Sequence, residues 1–457
     1  MDKVKYRAAL RIVKLINVAG MTALFGVCWY WFYADNISSP YYNRGNWVVI
    51  AIFAVLYLLY GRIYDAFKVS LYRISEMVYS QSLSAILSNA VMFLIIWLLC
   101  NSIPPVWPLL LATVAQILFA VGWSYYAHRW YFATFPPRRT AILYDVRRGM
   151  EQLILEYGLG KKFCVERTAP IHDCLQGNLE MLQDMQAVFL CGIHSHERNI
   201  VLKYCIARDI QVYMLPRIGD VLMSGAKPLH LFHLPMMQVT RYEPAPEYVL
   251  LKRMFDILVS GVALLVLSPV LLAVSFAIKV YDGGPVFYKQ CRLTKDGKAF
   301  MVHKFRSMKV DAEKDGVARL STGDKDDRIT PVGHFIRKVR LDELPQLLDI
   351  LKGDMSLVGP RPERPEIAAQ YEKELPEFAL RLQAKAGLTG YAQVYGKYNT
   401  TPYDKLQMDL MYIAHPSFME DLRIIFATIK ILFIPESTEG VAEGQTTAQC
   451  VETEERV

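Results

Sequence analysis

The sequence predicts a membrane-bound α/β protein in three parts: a four-helix transmembrane bundle over residues 1–135, a Rossmann-like α/β domain over 140–245, and a second α/β domain over 249–435 that contains a re-entrant membrane helix at 254–281. Three observations lead to this reading: long stretches without Asp, Glu, Lys or Arg, an alternation of short apolar runs with helical patterns, and a late apolar run with basic residues on both flanks.

The bundle rests on charge-free length. Residues 15–33, 45–61 and 77–128 contain no Asp, Glu, Lys or Arg, and Asn101-Ser102-Ile103-Pro104-Pro105 divides the last of these into two segments. A helical span takes about 20 apolar residues, so four spans arranged as two hairpins are expected. Hydrophobic residues make up 53% of the 457, and the mean hydropathy is +0.19, which fits a membrane protein. Lys3, Lys5, Arg7, Arg11 and Lys14 precede the first span, Arg62, Lys68 and Arg73 follow the second, and Arg129, Arg138, Arg139, Arg147 and Arg148 follow the fourth. The positive-inside rule therefore places both ends of the bundle in the cytoplasm. The first apolar run is long and has no small-residue cleavage site, so a cleaved signal is not expected. Eight cysteines (28, 100, 164, 174, 191, 205, 291 and 450) form no CxxC pair or metal-ligand spacing, and they are read as packing residues. The net charge of +7, without a Lys/Arg run interleaved with aromatics, suggests anionic lipid rather than nucleic acid.

The middle domain rests on alternation. "TAILYDV", "FCVERTA", "AVFLCGI" and "IQVYMLP" read as short buried strands separated by helical stretches, the pattern of a parallel sheet. A dinucleotide site would need a glycine-rich turn after the first strand, where this chain has Asp145-Val146-Arg147-Arg148; no dinucleotide binding is expected. His194 and His196 read as surface residues in preference to metal ligands, and the domain as a spacer or assembly surface.

The late run, 257–278, is long enough to span, yet Lys252 and Arg253 precede it and Lys279, Lys289, Arg292, Lys295 and Lys298 follow. Both flanks want the same side of the membrane. Ser268-Pro269 lies near its middle, where proline removes an intrahelical hydrogen bond, so the helix is expected to break there, enter one leaflet and leave by the same face. The segment 418–435 carries Arg423 and Lys430 and suits an interfacial helix, while the polar tail 436–457 is expected to be disordered.

The chemistry gathers behind that helix. Nine basic residues against four acidic ones lie between Lys279 and Lys314. "RLDELPQLLDILKG", 340–353, then sets Asp342 and Glu343 side by side where an apolar helix begins. An N-cap role followed by Pro345 in the first turn accounts for one acid and leaves the other unexplained. Salt bridges to Asp311, Glu313 or Glu363 are the plain alternative to phosphate binding for the nearby arginines.

From about residue 249 to 435 the chain resembles the monotopic bacterial sugar-1-phosphate transferases that load a polyprenyl phosphate, on "LKRMFDILVSGVALLVLSP", "GPVFYKQCRL", "HKFRSMKVDAE", "GHFIRKVRLDELPQLLDILKGDMSLVGPRPE" and "KAGLTGYAQVYG". The bundle and the α/β insert are similar to the long branch of that family, the initiating enzymes of surface-polysaccharide assembly. The resemblance implies a UDP-sugar donor, undecaprenyl phosphate as acceptor, and a catalytic domain on the cytoplasmic face of the bacterial inner membrane. It implies Asp342 as the nucleophile that forms a covalent phosphoglycosyl-aspartate, Glu343 as a Mg²⁺ ligand, and Lys304, Arg306, Arg337 and Arg361 on phosphate groups. A position just past a helix start, among guanidinium groups, would keep Asp342 ionised at neutral pH. Arg340 stands where a smaller residue is expected in relatives. A homodimer is plausible, the sugar is open, and the competing readings are a catalytically silent membrane scaffold and a transferase working by direct single displacement.

Overall fold

The structure, a computed structural model, describes residues 3–41, 44–177, 179–310, 328–396 and 400–432. The tail 436–457, Asp311 and Glu313 lie outside the described residues. The chain forms two compact units, one ending at Met214 and one beginning at Leu215.

The first unit opens with α1 (Lys3–Phe32), α2 (Arg44–Ile63), α3 (Ile74–Leu99) and α4 (Trp107–Thr134). Each is long and apolar enough to cross a membrane. In lipid the apolar effect does not drive helices together, so close packing and interhelical hydrogen bonds must. The buried face of α3 supplies both: Ser80, Gln81, Ser84, Ala85, Ser88 and Asn89 repeat at helical spacing. Asn17 donates to Gln81 Oε1 at 3.0 Å, Tyr57 donates to Asn17 at 2.8 Å, and Asn89 donates to Gln116 Oε1 at 2.7 Å. These bonds join all four helices around the stacked Phe25 and Phe53 rings.

After the bundle come β1 (Arg138–Tyr144), α5 (Met150–Glu156), β2 (Phe163–Pro170), α6 (Ile171–Gln176), β3 (Ala187–Cys191), α7 (Ser195–Ala207) and β4 (Gln211–Met214). The strands form one parallel sheet in the order β2-β1-β3-β4. Ala141, Ile142 and Leu143 on the inner strand are all buried, as expected of a sheet covered on both faces. His194 and His196 are exposed at the start of α7. The parallel sheet in the region read as an α/β domain over 140–245 ends with β4 at Met214, and the residues from Leu215 belong to the second unit.

The second unit begins with α8 (Ile218–Ser224) and a hairpin, β5 (Lys227–Leu231) with β6 (Leu234–Gln238). Residues 215–245 fold with this unit through Gln407, whose amide donates to the Pro216 carbonyl, and through Gln383, which accepts from Tyr242 N at 3.0 Å. Next is α9 (Pro246–Asp282), 37 residues and helical throughout, longer at both ends than the expected 254–281. The break expected at Ser268-Pro269 is not a gap in helical structure. Proline 269 leaves the Leu265 carbonyl without its i+4 donor, and the Ser268 hydroxyl donates to that carbonyl at 2.8 Å.

Both ends of α9 dock on the same domain. At the first, Arg253 donates to the Ile350 and Leu351 carbonyls at 2.6 and 2.7 Å, while Lys252 and Tyr248 hold Asp421 at 2.9 and 2.8 Å. At the second, Asp282 pairs with Arg306, and Val274 and Ile278 pack on Phe305 and Ile336. Between them Leu265, Val266, Leu272 and Phe276 are exposed, and only 11% of the apolar window of α9 is buried, against 39% in α1 to α4.

The remaining elements are an antiparallel pair, β7 (Phe287–Leu293) and β8 (Ala299–Phe305), then α10 (Pro331–Lys338), a 3₁₀ turn at Leu341–Glu343, α11 (Gln346–Lys352), β9 (Ser356–Val358), α12 (Pro365–Glu374), β10 (Gly387–Thr389), α13 (Tyr391–Tyr395), α14 (Pro402–Ala414) and α15 (Phe418–Leu432). A core of Val302, Leu347, Ile350, Leu357, Phe378, Leu406 and Leu410 binds them together. β9 and β10 pair in parallel, which carries the loop after β9 beside the 3₁₀ turn.

Candidate active site

Glu343 is the centre of an ion cluster. Lys304, on β8, donates to its Oε1 at 2.8 Å, and Arg361, on the loop after β9, donates to the same atom at 2.7 Å. Burial pushes the Glu343 carboxyl up, but the charges of Arg361 and Lys304 outweigh it and hold the group well below the usual carboxylate range. Beside it, Asp342 has no hydrogen bond to any described residue. Burial and the Glu343 charge push the Asp342 carboxyl up, opposed by Lys304, Arg337 and Arg361. One acid is locked and ionised, and its neighbour is bare.

This corrects the local reading of the dyad. The apolar helix α11 starts at Gln346, so Asp342 and Glu343 sit in the 3₁₀ turn before it and neither is its N-cap. The helix end therefore does not depress the Asp342 carboxyl as expected; desolvation dominates instead. The turn starts at Arg340, a non-glycine residue with φ of 55° whose charge helps lower Glu343. Such a left-handed conformation costs a non-glycine residue roughly 1–2 kcal/mol.

Of the four basic residues expected on phosphate, the structure brings together Lys304, Arg337 and Arg361. Arg337, in the last turn of α10, has a buried Nη1 without a hydrogen-bond partner among the described residues, the condition of a donor facing a missing acceptor. Arg306 stands apart from the other three: its guanidinium grips Asp282 with two nitrogens and the Pro285 carbonyl with the third at 2.7 Å, and so fastens the end of α9. Its partner is none of the acids expected from the sequence.

The loop presenting Arg361 is pinned at three successive carbonyls. Pro360 O accepts from Gly387 N at 2.9 Å, Arg361 O from Arg381 Nη2 at 2.8 Å, and Pro362 O from Arg292 Nη1 at 3.1 Å. Arg381, 2% exposed, also pairs with the buried Asp409 at 2.7 Å, while Glu363 lies among Arg292, Arg381 and Lys405. Sequence reasoning missed Arg292, Arg381 and Asp409, since no local spacing links them to the dyad. The two chain segments cross so closely that a Cβ on Gly387 would lie 2.1 Å from Gly359 N. Gly387→Ala is therefore expected to displace the Arg361 loop and abolish measurable turnover, with a lowered melting temperature in detergent; near-normal turnover would show that the loop is not held this way.

Lys304, Glu343 and Arg361, with Arg292, Gln346, Gly387 and Leu388, line one cavity. Its donor set suits phosphate oxygens, since guanidinium and ammonium groups pair with them strongly. No group of three or more His, Cys, Asp or Glu able to hold a metal is present among the described residues. Magnesium often takes only one or two carboxylates and completes its shell with phosphate oxygens and water. Glu343 Oε2 and the Asp342 carboxylate, neither hydrogen-bonded to a described residue, fit such a shared ion.

Comparison with known proteins adds the following. Residues 247–435 match the family model described as bacterial sugar transferase. Over 272 residues the chain is 38% identical to a UDP-N-acetylgalactosamine-undecaprenyl-phosphate N-acetylgalactosaminephosphotransferase of Aeromonas hydrophila, covering 57% of this chain and 63% of that protein. It is 40% identical over 212 residues to a UDP-glucose:undecaprenyl-phosphate glucose-1-phosphate transferase of Escherichia coli K12, covering 45% and 44%. It is 42% identical over 201 residues to exopolysaccharide production protein PSS of Rhizobium leguminosarum, covering 42% of this chain and 98% of that one. The first two relatives are thus matched over less than two thirds of their length.

Proposed function

The chain belongs to the bacterial sugar transferase family, and from that premise we propose that it moves a sugar-1-phosphate, of a hexose type, from a UDP-sugar to undecaprenyl phosphate, releasing UMP and initiating a surface polysaccharide. The observation that carries this reading is the bare Asp342 carboxylate beside a Glu343 that two cations hold. Relatives named as transferases for such donors and this acceptor support it over a silent scaffold.

In the first step an Asp342 oxygen attacks the phosphorus that bears the sugar. The P–O bond to UMP breaks, its electron pair leaves on the UMP phosphate, and a phosphoglycosyl-aspartate remains. In the second step an oxygen of undecaprenyl phosphate attacks the same phosphorus and the Asp342 carboxylate is released. Lys304, Arg337 and Arg361 stabilise the charge gathering on the phosphoryl oxygens. Mg²⁺ held by Glu343 together with diphosphate oxygens would supply further charge neutralisation at the departing UMP. The test is incubation of membranes with a panel of UDP-sugars and undecaprenyl phosphate; a panel that yields no UMP sinks the reading.

The reaction needs Asp342 ionised. A raised carboxyl means that activity is complete above that pKa and lost as the pH falls through it, so the acid limb of kcat/KM is expected at higher pH than the 3.9 or so of an ordinary aspartate. Replacing Glu343 by Gln removes a like charge and should move the residual limb to lower pH; movement upward would contradict the assignment.

We also propose that α9 is re-entrant, leaving the catalytic domain on the cytoplasmic face. Support comes from its two flanks. A crossing helix would put residues 242–253 and residues 283–432 in different compartments, yet Tyr242, Tyr248, Lys252 and Arg253 hydrogen-bond to Gln383, Asp421 and the end of α11. The exposed Trp31, Trp47, Trp97 and Trp107 all lie at one end of the α1–α4 bundle, away from its basic flanks, as expected of an interfacial belt on the far side. In oriented vesicles, Glu243→Cys and Lys298→Cys should react with an impermeant maleimide from the same side. Reaction from opposite sides would mean that α9 crosses.

A further inference from the structure

β8, the strand that carries Lys304, pairs with β7 alone among the described residues, so its other edge has no neighbouring strand. Asp349, on α11 and 0% exposed, takes that place at a single residue, His303. One carboxylate oxygen accepts from His303 N at 2.9 Å, and the other lies 2.6 Å from His303 Nδ1. A carboxylate accepts, so the imidazole meets it with its proton on Nδ1. α11 is the fixed partner in this pair, since Leu347 and Ile350 are buried in the core of the second unit. Lys304 is the next residue along β8, and its ammonium donates to Glu343 Oε1 at 2.8 Å, in the turn before α11. The strand is thus tied to α11 and its preceding turn at two consecutive residues.

The two ties differ in what competes for them. Lys304 lines the cavity, so an entering phosphate draws its ammonium away from Glu343. The His303–Asp349 pair is held by a carboxylate withdrawn from water, and it persists when the first tie is exchanged. Resting on the function proposed above, we propose that His303 and Asp349 are positioning residues, which fix the register of β8 against α11 and so keep Lys304 on the donor diphosphate once its ammonium leaves Glu343. A misplacement of about 1 Å costs a binding group much of its effect, and β7 by itself restrains only one edge of the strand. Neither proposed step adds or removes a proton at a substrate oxygen, so the imidazole acts through Lys304 and not as an acid or a base.

The experiment is a mutant cycle on the full chain in detergent, read by its affinity for UDP, which carries the diphosphate that such donors share. His303→Phe keeps a ring of similar size but cannot donate, and it should weaken UDP binding by about tenfold in the otherwise native protein. In Lys304→Met the same change should cost nothing further, because the residue it acts through is gone. His303→Asn, whose amide nitrogen can stand where Nδ1 does, should recover most of the affinity. A pair that only holds the fold together would weaken UDP by the same factor in both backgrounds. Losses that multiply in that way, or a wild type that does not bind UDP, overturn the inference. Should the phenyl ring prevent folding, His303→Leu, smaller and equally unable to donate, carries the same cycle. A panel in which no UDP-sugar releases UMP sinks the proposed function and this inference with it, whereas turnover with multiplying losses sinks the inference alone.

Discussion

Asp342→Asn is expected to slow UMP release by about a thousandfold or more, because an amide cannot form the acyl-phosphate bond that the two-step route requires. The exchange nearly conserves volume, and Asp342 has no hydrogen bond to a described residue, so the fold should be unaffected. It also removes the charge that Glu343 repels, so donor affinity should stay the same or improve, placing the loss in kcat rather than KM. Intact-mass analysis of the wild type with donor and no acceptor should reveal a phosphoglycosyl adduct that the variant lacks. A wild type that releases no UMP until acceptor is added would favour direct displacement, and unchanged turnover in the variant would remove Asp342 from the mechanism.

Arg381→Met is expected to be the most destabilising single change in the second unit. Asp409 is 1% exposed and Arg381 2%, so truncating the guanidinium leaves a carboxylate buried without its principal charge. Breaking a buried pair on one side costs about 3–5 kcal/mol. At roughly 2–4 °C per kcal/mol for a domain of this size, the melting temperature should fall by about 10 °C. The same change frees the Arg361 carbonyl, so surviving protein should also turn over donor more slowly. Arg381→Met combined with Asp409→Leu removes both charges and should recover much of the stability without recovering the turnover. A double variant as unstable as the single one would mean that packing, not charge, is responsible.

Some of this was legible along the chain. The bundle was, because lipid imposes a length and excludes charge in a way that one dimension records. The buried centres of the first and third strands, 140–143 and 187–191, were, because a sheet covered on both faces needs apolar runs, while the start of β1 at Arg138 was not. The dyad was legible as a pair of neighbouring acids but not as geometry: "DELPQ" looks like a helix start, and only the observed turn shows that the helix waits until Gln346. Arg306 had the right charge in the right region, yet its partner Asp282 lies on the far side of β7 and β8 from it in sequence and beside it in space.

The order of residues alone determined which segments are apolar enough for lipid, which family's landmarks are present, and which two carboxylates stand together. Those are properties of neighbours in the chain, set by covalent spacing and local periodicity. Tertiary structure decided which cations meet Glu343, that Asp342 stays bare, and that Arg381 and Gln346 belong to the site at all. The reason is physical: a charge takes the partner that is closest after desolvation, and packing sets that distance between residues 18 to 39 positions apart, where no sequence period reaches.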